Sequence, residues 1–352
     1  MNPIRTRRGR GLALLAAVSI AAIGVAGCSS SGKADAGTET GASGTTAVSG
    51  PKSINVVGFA VLESVYDALS ESFAKTAAGK GFSIKGSYGA SGDQSKSVAN
   101  GAKADLVEFS VTPDLTRLVD AKLVAPDWDA GATKGIGSTS VVAFGVRKGN
   151  PKNIKTWDDL IKPGIKIVTA DPTRSGSAKW NLLGAYAHGL GASKDKAAGE
   201  AYLKSFIGNV VSWAESGRKA TETFTSGTGD VFITYENEAI LAKQAGEDID
   251  YVVPEDSFLI ENPIAVTTTA APIAKQFLDY VLSADGQQVM ASKGFRPVDG
   301  SAPTEPVEGA NDPANPFPVL KKLTTVADLG GWKAVNTLLL NESALVPTLQ
   351  GS

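Results

Sequence analysis

The apolar positions of this 352-residue chain switch between a period of two and a period near 3.6, and the switching predicts most of its elements. "SINVVGFAV", from Ser53, is a β-branched run of strand length, and a helix is expected over residues 63–75. "FSIKGSYGAS" predicts a second strand running into Ser91, then a helix over 93–100 and a buried strand "ADLVEFSV". The strands "STSVVAFGVRKG", "IKIVTA", "GNVVSWA", "GDVFITY", "IDYVVPED" and "PIAVTTT" follow. Between and after them come helices at "TWDDLIK", up to about His188, and over 220–224. One long helix is expected through "PIAKQFLDYVLSADGQQVMASKG". Strands alternating with helices at this spacing predict α/β lobes with largely parallel sheets. In such sheets ligands bind outside the carboxyl ends of the strands.

The N-terminus follows a different pattern. Arg5, Arg7, Arg8 and Arg10 precede seventeen uncharged residues, Gly11 to Gly27. That length is short for a membrane span and suits a signal-peptide core. The run ends Val25-Ala26-Gly27-Cys28, which resembles a bacterial lipobox, and Cys28 is the only cysteine in the chain. Residues 1–27 are therefore expected to be a lipoprotein signal peptide, with Cys28 lipidated and holding the protein to a membrane. From Ser29 to Gly50, eighteen of twenty-two residues are Gly, Ala, Ser or Thr, so residues 28–52 read as a flexible tether. Removing residues 1–27 takes four of the 34 basic residues and none of the 36 acidic ones, leaving a balance of −6. That balance argues against nucleic acid and anionic lipid as partners, so an anionic ligand would need a local site.

Three stretches supply such sites, each a strand, small residues, then a helix start. They are "SYGASGDQSKSV" at Ser91, "DPTRSGSAKWNLL" at Ser175, Gly176 and Ser177, and "SWAESGRKATETF" at Ser216, Gly217 and Arg218. The first N–H groups of a helix lack internal partners, and the macrodipole adds about half a positive charge there. An oxyanion suits that arrangement. Such residues are also ordinary helix caps, so the motif alone leaves both readings open.

From "GASGDQSKSVANGAKADLV" onward the chain resembles the periplasmic sulfate-binding proteins of ABC importers. The likeness continues through "VRKGNPKNIKTWDDLIKPGIKIVTADP", "RSGSAKWNLL", "SGRKATETF", "GTGDVFITYENEAIL", "GFRPVD" and "DLGGWK". It covers about Ser53 to Trp332, in order. The resemblance implies an α/β fold of the two-lobed, type II-like periplasmic binding protein, with a cleft between lobes joined by hinge crossovers. Lobe 1 is expected over 53–143 and 254–352, and lobe 2 over 144–253. It implies a substrate-binding lipoprotein of a sulfate importer that holds the dehydrated dianion through neutral donors. The implied ligand set is Ser91, Ser175, Gly176, Ser177, the backbone N–H of Arg218, and Tyr235, which stands where relatives carry a Trp indole. The family's Tyr-Asp-Pro-like turn after the first strand is replaced here by "VVGFAVLES". Implied partners are sulfate, thiosulfate as a second ligand, a membrane permease and, through it, an ATPase. A monomer on the outer face of the cell membrane is expected.

Enzyme chemistry finds little support. "GASGD" falls one residue short of a nucleophile elbow, and His188, the only histidine, sits at a helix end. No metal site or cofactor is expected: the chain has one His and one Cys, and Glu236 and Glu238 point apart at i, i+2. Another tetrahedral oxyanion, phosphate or molybdate, is the alternative ligand. Phosphate keeps a proton at neutral pH and needs an acceptor, for which Asp93 is the candidate; the other reading of Asp93 is a first-turn acid favoured by the helix dipole.

Overall fold

The computed structural model describes residues 52–341 and 344–350. The expected signal peptide, Cys28 and all but the last residue of the tether lie outside the described residues. In chain order, strand β1 (Ser53–Phe59) leads to helix α1 (Glu63–Ala74), β2 (Ser83–Gly89) to α2 (Ser91–Ala99), and β3 (Leu106–Glu108) to α3 (Thr112–Asp120). The long strand β4 (Ile136–Arg147) follows, then α4 (Trp157–Leu160), β5 (Ile167–Ala170), α5 (Gly176–Leu190) and α6 (Lys196–Gly208). Next are β6 (Val210–Ala214), α7 (Gly217–Thr225), β7 (Val231–Tyr235), α8 (Glu236–Gln244), β8 (Ile249–Val252) and a second long strand, β9 (Asp256–Val266). The chain continues through α9 (Pro272–Val281), α10 (Ala284–Ser292), β10 (Lys322–Thr324), α11 (Gly331–Val335) and α12 (Leu345–Gln350).

Hydrogen-bonded strands run in the order β2-β1-β3-β9-β4-β7-β5-β6, with β10 on β9 and β8 on β4. Two parallel groups stand at the ends of this path: β1 between β2 and β3, and β5 between β6 and β7. Parallel neighbours need crossover connections, and the intervening helices supply them. The groups are joined by β4 and β9. Val141 and earlier residues of β4 pair antiparallel with β9, whereas Val142 to Val146 pair antiparallel with β7. β9 in turn reaches β3 through Ile264 to Val266. Parallel pairing thus holds inside each group, and the two crossing strands make the antiparallel contacts.

Burial follows from residue type. All four residues of β5 are buried, as expected for a strand covered on both faces. Helix α5 buries Ala178, Trp180, Leu182, Leu183, Ala185 and Tyr186; with so little polar surface it sits inside the protein. Phe73 of α1 packs on Phe82, and Phe277 of α9 packs on both at 5.4 and 4.7 Å. The segment after β9 is thereby returned to the first group, while Trp332 of α11 packs edge-on against Trp180 of α5 at 5.1 Å.

The single helix expected over the segment that begins at Pro272 is instead two. The Ser283 hydroxyl accepts from the Gly286 N–H at 3.2 Å and caps α10, and a Cβ on Gly286 would fall 2.0 Å from the Tyr280 carbonyl oxygen. Ser283 followed by Asp285 is a helix-start signal inside an otherwise continuous apolar pattern. No helix of the described residues is long and apolar enough to cross a membrane.

Candidate functional site

The carboxyl ends of the parallel strands deliver their loops to one place. β1 ends at Phe59 and turns through a short 3₁₀ segment, Ala60–Leu62; β2 runs into α2, β5 into α5 and β6 into α7. The cavity they enclose is lined by Phe59, Ala60, Val61, three glycines (Gly89, Gly176, Gly217) and five serines (Ser91, Ser110, Ser175, Ser177, Ser216). Its free volume is only about 10 Å³, far below the roughly 300–1,000 Å³ of pockets for drug-sized ligands. No charged residue lines it. A cavity this small and this rich in donors suits a compact anion.

Local sequence explains how each donor is aimed. Ser175 is the N-cap of α5, yet its side chain makes no capping hydrogen bond, unlike Ser216, whose oxygen accepts from the Lys219 N–H. Ser175 and Ser177 are 2% and 5% exposed, so both hydroxyls are held inside the structure. Gly176 and Ser177 open α5, where backbone N–H groups have no acceptor within the helix. Ser91 is more committed: its hydroxyl donates to Asp114 Oδ2 at 2.7 Å and accepts from the Ser110 N–H at 3.0 Å. A serine has one hydroxyl proton, so what Ser91 retains for a ligand is its backbone N–H at the start of α2.

Four of the residues expected from sequence, Ser91, Ser175, Gly176 and Ser177, therefore line one cavity. The Arg218 side chain does not line it. Its Nε faces the buried Glu238 carboxylate at 3.0 Å, and the residues at the cavity are Ser216, the N-cap of α7, and Gly217, its first residue. Tyr235 lies behind the lining, 1% exposed, with its hydroxyl 2.5 Å from Ser110 Oγ. Asp93 lies outside as well, accepting from Arg174 Nε at 2.6 Å. Two contributors carried no sequence expectation. Ser110, just past β3, shows the same strand–serine–helix order as the others, cut short by the three-residue strand. Phe59 to Val61 are apolar and offer no side-chain signal; only the backbone of their turn is polar.

Arg174 stitches the helix starts together. Its carbonyl accepts from the Gly92 N–H at 2.9 Å, and its guanidinium reaches Asp93 and, at 3.0 Å, Glu215. Glu238, fully buried, also accepts from Thr221 Oγ1 at 2.9 Å. Burial raises its carboxyl above the ordinary range, and Arg218 and Thr221 offset only part of that. A larger groove between α5 and the C-terminal helices is mostly apolar and carries Lys194, Lys196 and Lys333 at its lining in place of serine hydroxyls.

Two parallel α/β groups, two strands crossing between them and a small donor-lined cavity at the strand ends define a two-lobed solute receptor of the type II-like class. Residues 54–296 match the sequence profile described as bacterial extracellular solute-binding protein. The chain belongs to that family. It is 36% identical over 297 residues to the sulfate-binding protein of Synechococcus elongatus, covering 81% of this chain and 83% of the relative. It is 32% identical over 243 residues to the thiosulfate-binding protein of Pseudomonas aeruginosa, covering 66% and 73%. Among solved structures, the sulfate-binding protein SubI from Mycobacterium tuberculosis H37Rv superposes with a TM-score of 0.77 at 46% identity, covering 82% of this chain and 99% of that one.

Proposed function

We propose that this protein is the substrate-binding component of a sulfate ABC importer, with thiosulfate as a second ligand, and that it acts outside the cytoplasmic membrane. The observation that carries the ligand assignment is the uncharged lining: five serines, three glycines and helix-start N–H groups, with no carboxylate facing the cavity. Sulfate at pH 7 is a dianion without a proton, so a site made of donors can satisfy its oxygens. Phosphate at that pH keeps a proton that this lining offers no carboxylate to accept, and a buried polar group left unpaired costs about 1–3 kcal/mol. Sulfate and thiosulfate relatives support the same reading.

The working unit in this reading has one lobe at 53–143 and 254–352, whose last helices reach over onto α5, and a second at 144–253. Sulfate bridges them through Ser91 on one side and Ser175, Gly176, Ser177 and the N–H of Arg218 on the other, with Tyr235 acting from behind. The closed monomer then presents the anion to a membrane permease. Residues 1–27 are a signal peptide, and lipid on Cys28 keeps the receptor beside that permease, on the tether of residues 28–52. The reading is tested by isothermal titration of anion-free protein with sulfate, thiosulfate, phosphate and molybdate at pH 7. Sulfate binding with phosphate silent is expected; phosphate binding with sulfate silent would overturn the ligand assignment.

A further inference from the structure

We propose that Ser110 is a further anion-binding residue that donates its hydroxyl proton to the ligand, and that Tyr235 is the positioning residue that aims it. The proposal rests on the reading of the cavity as a sulfate site. It starts from a proton count. Ser110 is 1% exposed and lines the cavity, and all its other polar atoms are engaged. Its N–H donates to Ser91 Oγ at 3.0 Å, and its carbonyl accepts from Trp180 Nε1 at 2.8 Å and Asn262 Nδ2 at 3.0 Å. Only the hydroxyl is left to assign.

That hydroxyl and the Tyr235 hydroxyl are 2.5 Å apart, and distance alone does not say which donates. The surroundings do. The polar side chains that converge on Ser110 beside the Tyr235 hydroxyl, Trp180 and Asn262, both present nitrogens to the Ser110 carbonyl. The indole nitrogen is only ever a donor, and so is the amide nitrogen that Asn262 turns towards Ser110. The Tyr235 proton therefore has one described acceptor, Ser110 Oγ. If Ser110 were the donor, a buried tyrosine proton would be stranded among N–H groups, which native structures avoid. With Tyr235 donating, the Ser110 proton is released towards the cavity.

Its position is right for the task. A Cβ built on Gly176 would fall 2.6 Å from Ser110 Oγ, so the hydroxyl abuts the first residue of α5. Ser110 follows β3 in the first strand group, whereas Tyr235 ends β7 in the second. The relay therefore exists only while the two groups are together, and it links the anion contact to closure.

The test is sulfate titration of the full chain as wild type, Ser110→Ala, Tyr235→Phe and the double variant, with Ser110→Cys as a second probe that keeps the volume. Losing one charge-assisted donor predicts about a tenfold weaker Kd for Ser110→Ala. Tyr235→Phe should weaken binding less, and the double variant should bind no worse than Ser110→Ala alone. Without sulfate, Tyr235→Phe should also recover part of the melting temperature lost in Ser110→Ala, because it removes the donor left without an acceptor. Unchanged affinity in both Ser110 variants overturns the proposal. So does a Tyr235→Phe penalty that persists in full on the Ser110→Ala background, since Tyr235 would then meet the anion itself. Wild-type protein that ignores sulfate would instead defeat the underlying functional reading, which the same titrations distinguish.

Discussion

Replacing Gly176 by Ala separates closure from folding. Gly176 is the first residue of α5 and is not among the glycines with positive φ, so Ala there should not strain the helix. The obstacle is across the cleft: the new Cβ would sit 2.6 Å from both Cβ and Oγ of Ser110, and 3.3 Å from Val111 Cγ1. Carbon atoms in good contact are about 3.5–4.0 Å apart, and Ser110 Cβ is fixed to the backbone, so relief requires the two sides to part by about 1 Å. A hydrogen bond stretched by that much is no longer one. Bonds to a charged group contribute about 1.5–3 kcal/mol each, so losing two predicts a loss of at least about 3 kcal/mol. That is more than 100-fold in sulfate affinity. Isothermal titration measures the affinity, and thermal melting without sulfate should still show the single cooperative transition of a folded protein, with a midpoint lowered by the cross-cleft hydrogen bonds that the parting breaks. Gly208→Ala is the control, since a Cβ there meets nothing within 4 Å. Wild-type-like sulfate affinity in a normally folded Gly176→Ala protein would refute the claim that this contact gates the site.

Glu108 offers a pH test. It is fully buried, accepts from Tyr66 at 2.5 Å and Ser138 at 2.6 Å, has no cation beside it, and burial pushes its carboxyl up from 4.5 to about 7. The folded state then holds a proton that the unfolded state releases, so stability falls as pH rises from about 4.5 to 7, by about 3 kcal/mol in all. Glu108→Gln should remove that fall; urea denaturation at pH 5 and pH 8 checks it, and parallel profiles for the two proteins would count against it. For the anchor, Cys28→Ala should move the protein from the membrane to the soluble fraction on cell fractionation, and continued partition with membranes would argue against lipid on Cys28.

The elements that were legible in the sequence are those whose burial pattern is local. β4 and β5 read as strands because Val141 to Val146 and the Ile167-Val168 pair are short, buried, β-branched-rich apolar runs. The break between α9 and α10 was missed because Phe277, Val281 and Met290 keep the apolar pattern going across it. At the site, helix-start serines and glycines were readable because caps and anion receptors use the same residue types. Which of those serines stays free was not readable. That depends on partners far along the chain: Asp114 takes the Ser91 proton, and Tyr235, 125 residues from Ser110, reaches its hydroxyl. The direction of the Arg218 side chain is likewise fixed by Glu238, twenty residues on, and no local pattern encodes it.

The same pairings explain how a chain with a net charge of −2 can select a dianion. Arginines on the elements that build the cavity are already engaged: Arg174 with Asp93 and Glu215, Arg117 with Asp114, and Arg218 with Glu238. The lining is left with hydroxyls, N–H groups and the positive ends of α2, α5 and α7, each equivalent to about half a charge. A guanidinium aimed into the cavity would hold any anion, protonated or not, and would release it slowly. Neutral donors make binding depend on matching every oxygen at once, which only an anion of the right shape and proton count achieves. They also let water replace the contacts one at a time as the lobes part. A receptor that must pass its ligand on gains more from that reversibility than from the tightest grip.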